Sequence, residues 1–161
     1  MKKNIISAAI LIVIIPLDYL TKSAIVDHFS AGQRLDYLGG FLRIALVYNE
    51  GGVFGILQGY KNVFLVFSVI VLIIMFVYYF YEKNKTYIFT TAMALIMSGA
   101  VGNIIDRLIP GRPGVVDFIS VGVDGVYRWP SFNVADSVIV AGAFLLVIMF
   151  IMEERKKKQA G

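Results

Sequence analysis

The stretch VFLVFSVIVLIIMFVYYFY, residues 63–81, decides the class of this chain, because it carries no charged side chain along its whole length. A helix that crosses a bilayer needs about 20 mostly apolar residues at a rise of about 1.5 Å each, and this stretch supplies them. Working outward, TYIFTTAMALIMSGAVGNII (86–105) is as long, with Asn103 near its end. VADSVIVAGAFLLVIMFIM (134–152) also qualifies, with Asp136 in its first turn. The N-terminal NIISAAILIVIIPL (4–17) is shorter and contains Pro16, which lacks a backbone donor. Its basic start and apolar run imitate a signal peptide. No small-x-small cleavage site follows, however, and DYLTKSAIV (18–26) continues at helical spacing. The chain is read as one integral membrane domain over 1–161, with spans at about 4–26, 63–81, 86–107 and 134–152. The extracytoplasmic segments are then about 27–60 and 108–133.

Composition agrees. Of 161 residues 58% are hydrophobic and 16% charged, whereas a soluble domain carries about a quarter charged residues. Mean hydropathy is +0.77. The absence of cysteine excludes a disulfide framework, a thiolate nucleophile and a thiolate-bound metal. The single histidine, His28, excludes an imidazole-rich zinc site. The net charge of +4 does not indicate nucleic acid, because Lys2, Lys3, Lys83, Lys85 and the run Arg155 to Lys158 flank the spans. Membrane topology puts positive charge there on the cytoplasmic side, so both termini are expected in the cytoplasm.

The inner connection EKNK (82–85) is short, while the outer ones are long and rich in Gly, Tyr, Phe and Val. FLRIALVYN (41–49) has strand composition with imperfect alternation, and EGGVFG (50–55) permits a tight turn or close backbone approach. A small extracytoplasmic sheet resting on the membrane is expected.

The ionisable residues of the spans all lie toward their outer ends, and such residues are costly in lipid unless they have a function. Asp18 and Lys22 are four apart on one helical face and can pair. Asn103 and Arg107 are likewise four apart, with Asp106 between them, and Asn133 precedes Asp136 by three at a helix start. Asn49 and Asp117 arrive from the two outer connections. Polar groups from spans and loops thus converge on one layer.

Each has a plainer explanation. Asn133 and Asp136 suit a helix N-terminus, as a cap and an acid in the first turn. Asp106 and Arg107 could close a span at the interface, and Asp18 with Lys22 could simply neutralise each other. Asp124 before Gly125 reads as a turn residue. Ala94, Ser98 and Gly102 read as a packing face, and the tyrosines and Trp129 as an interfacial belt. Asp117 is the exception: it stands inside Val115, Val116, Phe118 and Ile119 with no helix start to justify it. Desolvation there raises a carboxyl's pKa. A second carboxylate nearby would leave one acid protonated and one ionised, a couple suited to activating water while protonating a carbonyl or leaving amine. Spacing alone does not bring Asp117 and Asp136 together; the connection between them would have to fold back, which its glycines and prolines permit.

In this order on four spans, the motifs DYLTK (18–22), NEGGVFGI (49–56), GNIIDR (102–107), VVDFI (115–119) and FNVADS (132–137) resemble those of the lipoprotein signal peptidases, signal peptidase II. The resemblance covers essentially the whole chain. It implies a helical membrane protein of four transmembrane helices with a small extracytoplasmic β-cradle and a helix or loop over the site. It implies an intramembrane aspartic endopeptidase of the bacterial cytoplasmic (inner) membrane, with the active site near the outer face. Such an enzyme removes the signal peptide from diacylglyceryl-modified prolipoproteins, cutting just before the lipidated cysteine. Asp117 and Asp136 match the catalytic dyad; Asp18, Lys22, Asn49, Gly51, Asn103, Asp106, Arg107 and Asn133 match residues that support the dyad or the substrate. Neither cofactor nor metal is implied. The expected partners are lipidated prolipoprotein, membrane lipid and inhibitors of the globomycin type, with a monomer as the expected state. Tyr19, Gly52 and Val53 depart from the usual residues of their motifs, and IPGRPG (109–114) is slightly long.

Other functions fit less well. A proton-coupled transporter would need acids at mid-membrane and toward the cytoplasmic side, and the spans place none there. A non-catalytic binding module has no need of two desolvated acids. A metal site of Asp18, Asp106, Asp117 and Asp136 is conceivable on charge alone, and the resemblance argues against it.

Overall fold

The computed structural model describes residues 2–30, 32–52 and 57–160. Four helices are long and apolar enough to cross a membrane: α1 (Lys2–His28), α2 (Lys61–Tyr81), α3 (Tyr87–Leu108) and α4 (Val134–Ala160). Between α1 and α2 lie the strands β1 (Arg34–Tyr37) and β2 (Leu42–Asn49); between α3 and α4 lie β3 (Val115–Val123) and β4 (Tyr127–Arg128). The strands form one antiparallel sheet in the order β1-β2-β3-β4. The chain is thus a multi-pass membrane protein with a small sheet, the architecture expected from the sequence.

The helix α3 is the axis of the bundle and packs against α1, α2 and α4. Its most apolar window is 56% buried against 6% for α2, so α2 is covered on one side only and otherwise faces lipid. Small residues allow this packing, since helices in a bilayer associate through close backbone approach rather than through apolar burial. Ala94, Ser98 and Gly102 are buried, as a packing face requires. A methyl on Gly99 would collide with the carbonyl of Ala135, and one on Gly142 with that of Ala92. Toward the end of the bundle where α2 joins α3 the core is Tyr79, Phe89, Met93, Met97 and Met149. There Ser7 Oγ and Tyr79 OH meet at 2.9 Å.

The strand β3 is buried on both faces over Val115 to Phe118, which accounts for the apolar residues on either side of Asp117. Its pairing with β2 sets Asn49 opposite Val115 and Val47 opposite Asp117, with an irregularity between Ile44 and Val47 where the sequence alternation falters. The turn expected over 50–55 falls partly on residues 53–56, outside the described residues, as does Val53. Asp124 does more than turn the chain. It accepts Arg43 Nη2 at 2.7 Å and Arg128 Nε at 2.8 Å, and those hydrogen bonds pull its carboxyl down to about 2. This ionic clasp, with Arg43 also on Asp36 at 2.7 Å, ties β1, β2 and the turn between β3 and β4 together.

Candidate active site

The fold-back that the sequence required is made by a short pairing. Phe132 N donates to Ile119 O at 2.9 Å, and Ile119 N donates to Phe132 O at 2.9 Å, so the chain beyond β4 returns alongside β3. Asn133 therefore stands beside Asp117 as α4 begins. Asp136 N donates to Asn133 Oδ1 at 2.8 Å, and Asn133 N donates to Asp136 Oδ2 at 3.3 Å. This reciprocal cap satisfies orphan amides of the helix start. The capping explanation of these residues is correct, and it leaves Asp136 Oδ1 available for other contacts.

The asparagines join the acids. Asn133 Nδ2 donates to Asp117 Oδ1 at 2.7 Å, and Asn49 Nδ2 to Asp117 Oδ2 at 3.1 Å. Asn103 Nδ2 donates to Asp136 Oδ1 at 2.8 Å, while its Oδ1 receives Lys22 Nζ at 2.9 Å. Asn49 is itself fixed, because its Oδ1 accepts Gly51 N at 3.1 Å and Gln58 Nε2 at 3.2 Å. Arg107 donates from Nη1 to Asn103 O at 3.1 Å and from Nη2 to Gly51 O at 3.0 Å.

Behind this layer is a buried ionic cluster. Lys22 Nζ lies 2.7 Å from Asp18 Oδ2 and 3.0 Å from Asp106 Oδ2, with all three side chains almost fully buried. Asp18 Oδ1 accepts the amide of Ala135 at 2.8 Å, and Asp106 Oδ2 accepts the amide of Val116 at 3.0 Å. Each of these carboxylates thus holds the backbone one residue ahead of Asp136 or Asp117. Arg112, from the loop after α3, binds Asp106 Oδ1.

Asp117, Asp136, Asn49, Asn103 and Arg107 line one cavity of about 660 Å³. Its other walls are mostly apolar and include Phe64, Phe67, Val71 and Met75 of α2 and Ile139 and Val140 of α4, with Ser68, Ser131 and Ser137 among them. From Phe64 to Met75 it follows α2 for about 16 Å at the helical rise. Burial first, and the nearby Asp136 second, push the Asp117 carboxyl up to about 7. The hydrogen bonds from Asn49 and Asn133, and the charge of Lys22, oppose that rise without cancelling it. Such a site can hold one proton between two acids beside an apolar, substrate-sized space.

Of the residues predicted for the site, Asp117, Asp136, Asn49, Asn103 and Arg107 face the cavity, and Asn133 and Gly51 hold those that do. Asp18, Lys22 and Asp106 stand behind and act through the backbone. Sequence reasoning missed Arg112, Gln58 and Phe64; a basic residue in a Gly- and Pro-containing loop carries no spacing signal that reveals its partner. Among the described residues, no group of three or more acidic or imidazole side chains is arranged to hold a metal ion.

Four membrane-length helices around a cavity that carries two linked acids define a polytopic membrane protein with an enzyme-like site. The family model of signal peptidase (SPase) II matches residues 10–152. The lipoprotein signal peptidase of Halalkalibacterium halodurans is 39% identical over 148 residues, covering 92% of this chain and 93% of that one. That of Listeria monocytogenes serotype 4a is 37% identical, covering 92% and 95%. A solved bacterial membrane enzyme aligns with a TM-score of 0.82 at 32% identity, covering 94% of this chain and 90% of that one. A second aligns at 0.74 with 33% identity, covering 89% and 91%. The chain belongs to the signal peptidase II family, and so to the proteases.

Proposed function

We propose that this chain removes the signal peptide from diacylglyceryl-modified bacterial prolipoproteins, cutting just before the lipidated cysteine, and that it does so as an aspartic endopeptidase. The observation that carries the reading is the pair Asp117 and Asp136, lining one cavity and tied together through Asn133 and Asn103.

In the reaction, Asp136 is the base and Asp117 the acid. Asp136 takes a proton from water as its oxygen attacks the scissile carbonyl carbon, and Asp117 gives its proton to the carbonyl oxygen. The tetrahedral intermediate then collapses with proton transfer to the amine, the C–N bond breaks, and a carboxyl and an amine leave. The upward displacement of Asp117 supports its role as proton holder. Asn49 and Asn133 aim its two oxygens, Asn103 aims Asp136, and Arg107 presents its guanidinium to the same space. The apolar walls suit a lipidated, largely apolar substrate, and cyclic depsipeptides of the globomycin type would occupy the same cavity. The reading further includes the bacterial inner membrane, both termini in the cytoplasm, the site near the outer face, and a monomer.

Purified Asp117→Asn and Asp136→Asn proteins, given a diacylglyceryl-modified precursor, are expected to lose processing by at least about a thousandfold, as removal of an acid or base group commonly does. Full processing by either variant, followed by gel mobility of the precursor, overturns the dyad.

A further inference from the structure

The buried cluster behind the acids is balanced in charge: Asp18 and Asp106 face Lys22 and Arg112. Lys22 serves both carboxylates from within α1. Arg112 serves Asp106 alone and comes from the loop between α3 and β3. Its side chain is only 10% exposed, which is unusual for an arginine in an outer connection. Its backbone is fixed as well, because Lys61 Nζ, at the start of α2, donates to Arg112 O at 2.5 Å. Asp106 in turn receives the amide of Val116, and Asp117 is the next residue. A continuous set of contacts therefore runs from the first turn of α2, through the loop, to the backbone that carries Asp117.

We propose that Arg112 is a positioning residue for the Asp117–Asp136 couple: by pairing with the buried Asp106 carboxylate it fixes that side chain on the Val116 amide, and so sets the Asp117 carboxyl at its working distance from Asp136. The proposal rests on the dyad reading above. Lys22 alone cannot serve Asp106 in this way, because it also faces Asp18 and Asn103. Without Arg112 the cluster would hold two carboxylates against one ammonium. The surplus negative charge would sit one strand residue from Asp117. The groups that face Asp117 are Lys22 of α1, Asn49 of β2, Arg107 of α3, and Asn133 and Asp136 at the start of α4, with Asp106 of α3 on the neighbouring Val116 amide. Among them only Asp106 would change its balance.

The test uses the full chain in lipid nanodiscs with a diacylglyceryl-modified precursor peptide, measuring kcat and KM across pH. Arg112→Gln is expected to lower kcat about 10- to 100-fold, the scale of a small misplacement of reacting groups, with KM unchanged within about twofold. Its upper pH limb is expected to move to higher pH, because an uncompensated Asp106 disfavours ionisation of Asp117. Arg112→Lys, which keeps the charge, restores both. The double variant Asp106→Asn with Arg112→Gln removes both charges and leaves no unpaired buried ion, so it provides a folded protein even where the single variant is unstable. Its pH limb is expected at the wild-type position.

An unchanged kcat in Arg112→Gln, a change in KM alone, or a limb displaced in the double variant overturns the proposal. Asp117→Asn in the same assay separates the two readings: if it stays active, the dyad itself fails, whatever Arg112 does.

Discussion

Asp117 holds its proton to about 7 because its strand is covered on both faces and Asp136 is near. A raised carboxyl binds its proton more tightly in the fold than in the unfolded chain, where the value is 3.8. The stability linked to that proton is complete below the unfolded value and is lost as pH rises through about 7. At pH above about 8 the ionised carboxylate therefore works against folding, and Asp117→Asn relieves it. That variant is expected to be inactive yet to unfold at a higher temperature than the wild type at alkaline pH, with no gain at mildly acidic pH; equal or lower melting temperatures at alkaline pH would refute the burial argument. Activity itself should fall as pH rises past the same region, where the acid loses its proton. Asp117 was legible in the sequence because a carboxylate inside Val115, Val116, Phe118 and Ile119 has no local partner to justify it. Arg112 was not, because its role exists only through a contact with Asp106 that spacing does not reveal.

At the scale of elements, the contact between the loop after β2 and the start of α2 narrows the cavity. A methyl on Gly52 would collide with the ring of Phe64, and both residues line the cavity. The Cε1 side of the ring occupies the space that a larger residue would take. Overpacking of this kind costs about 1–3 kcal/mol, so Gly52→Ala is expected to lower kcat/KM about tenfold by turning the ring into the cavity. Phe64→Leu in the same chain should recover most of the loss; no recovery would mean that the glycine serves its backbone instead.

The four spans were readable because lipid accepts only long apolar helices or closed barrels. The strand β2 was readable from its β-branched and aromatic content. In contrast, β1 was not singled out: RLDY is exposed on every residue and shows no alternation for a core to impose. The clasp of Asp124 with Arg43 and Arg128 was equally hidden, since a turn explains Asp124 completely in sequence.

For the whole molecule, orientation can be measured directly because the chain has no cysteine. Ser30 lies just beyond α1 and Asn84 between α2 and α3, and both are exposed. With the termini in the cytoplasm, Ser30→Cys in intact cells is expected to react with a membrane-impermeant maleimide, and Asn84→Cys only after lysis. The reverse pattern would invert the topology derived from the basic clusters.

The helix α2 is buried over only 6% of its most apolar window, and the cavity follows it from Phe64 to Met75. The cavity wall there is one helix thick, and on the proposed reading lipid lies on its far side, so the acids would be within reach of the bilayer's own plane. If the proposed function holds, a precursor anchored in the membrane by its signal segment and acyl chains meets Asp117 and Asp136 by lateral diffusion, a search in two dimensions instead of three. The rate at which precursors are found would be set by their density per unit of membrane area, and by the viscosity of the lipid, rather than by any concentration in water.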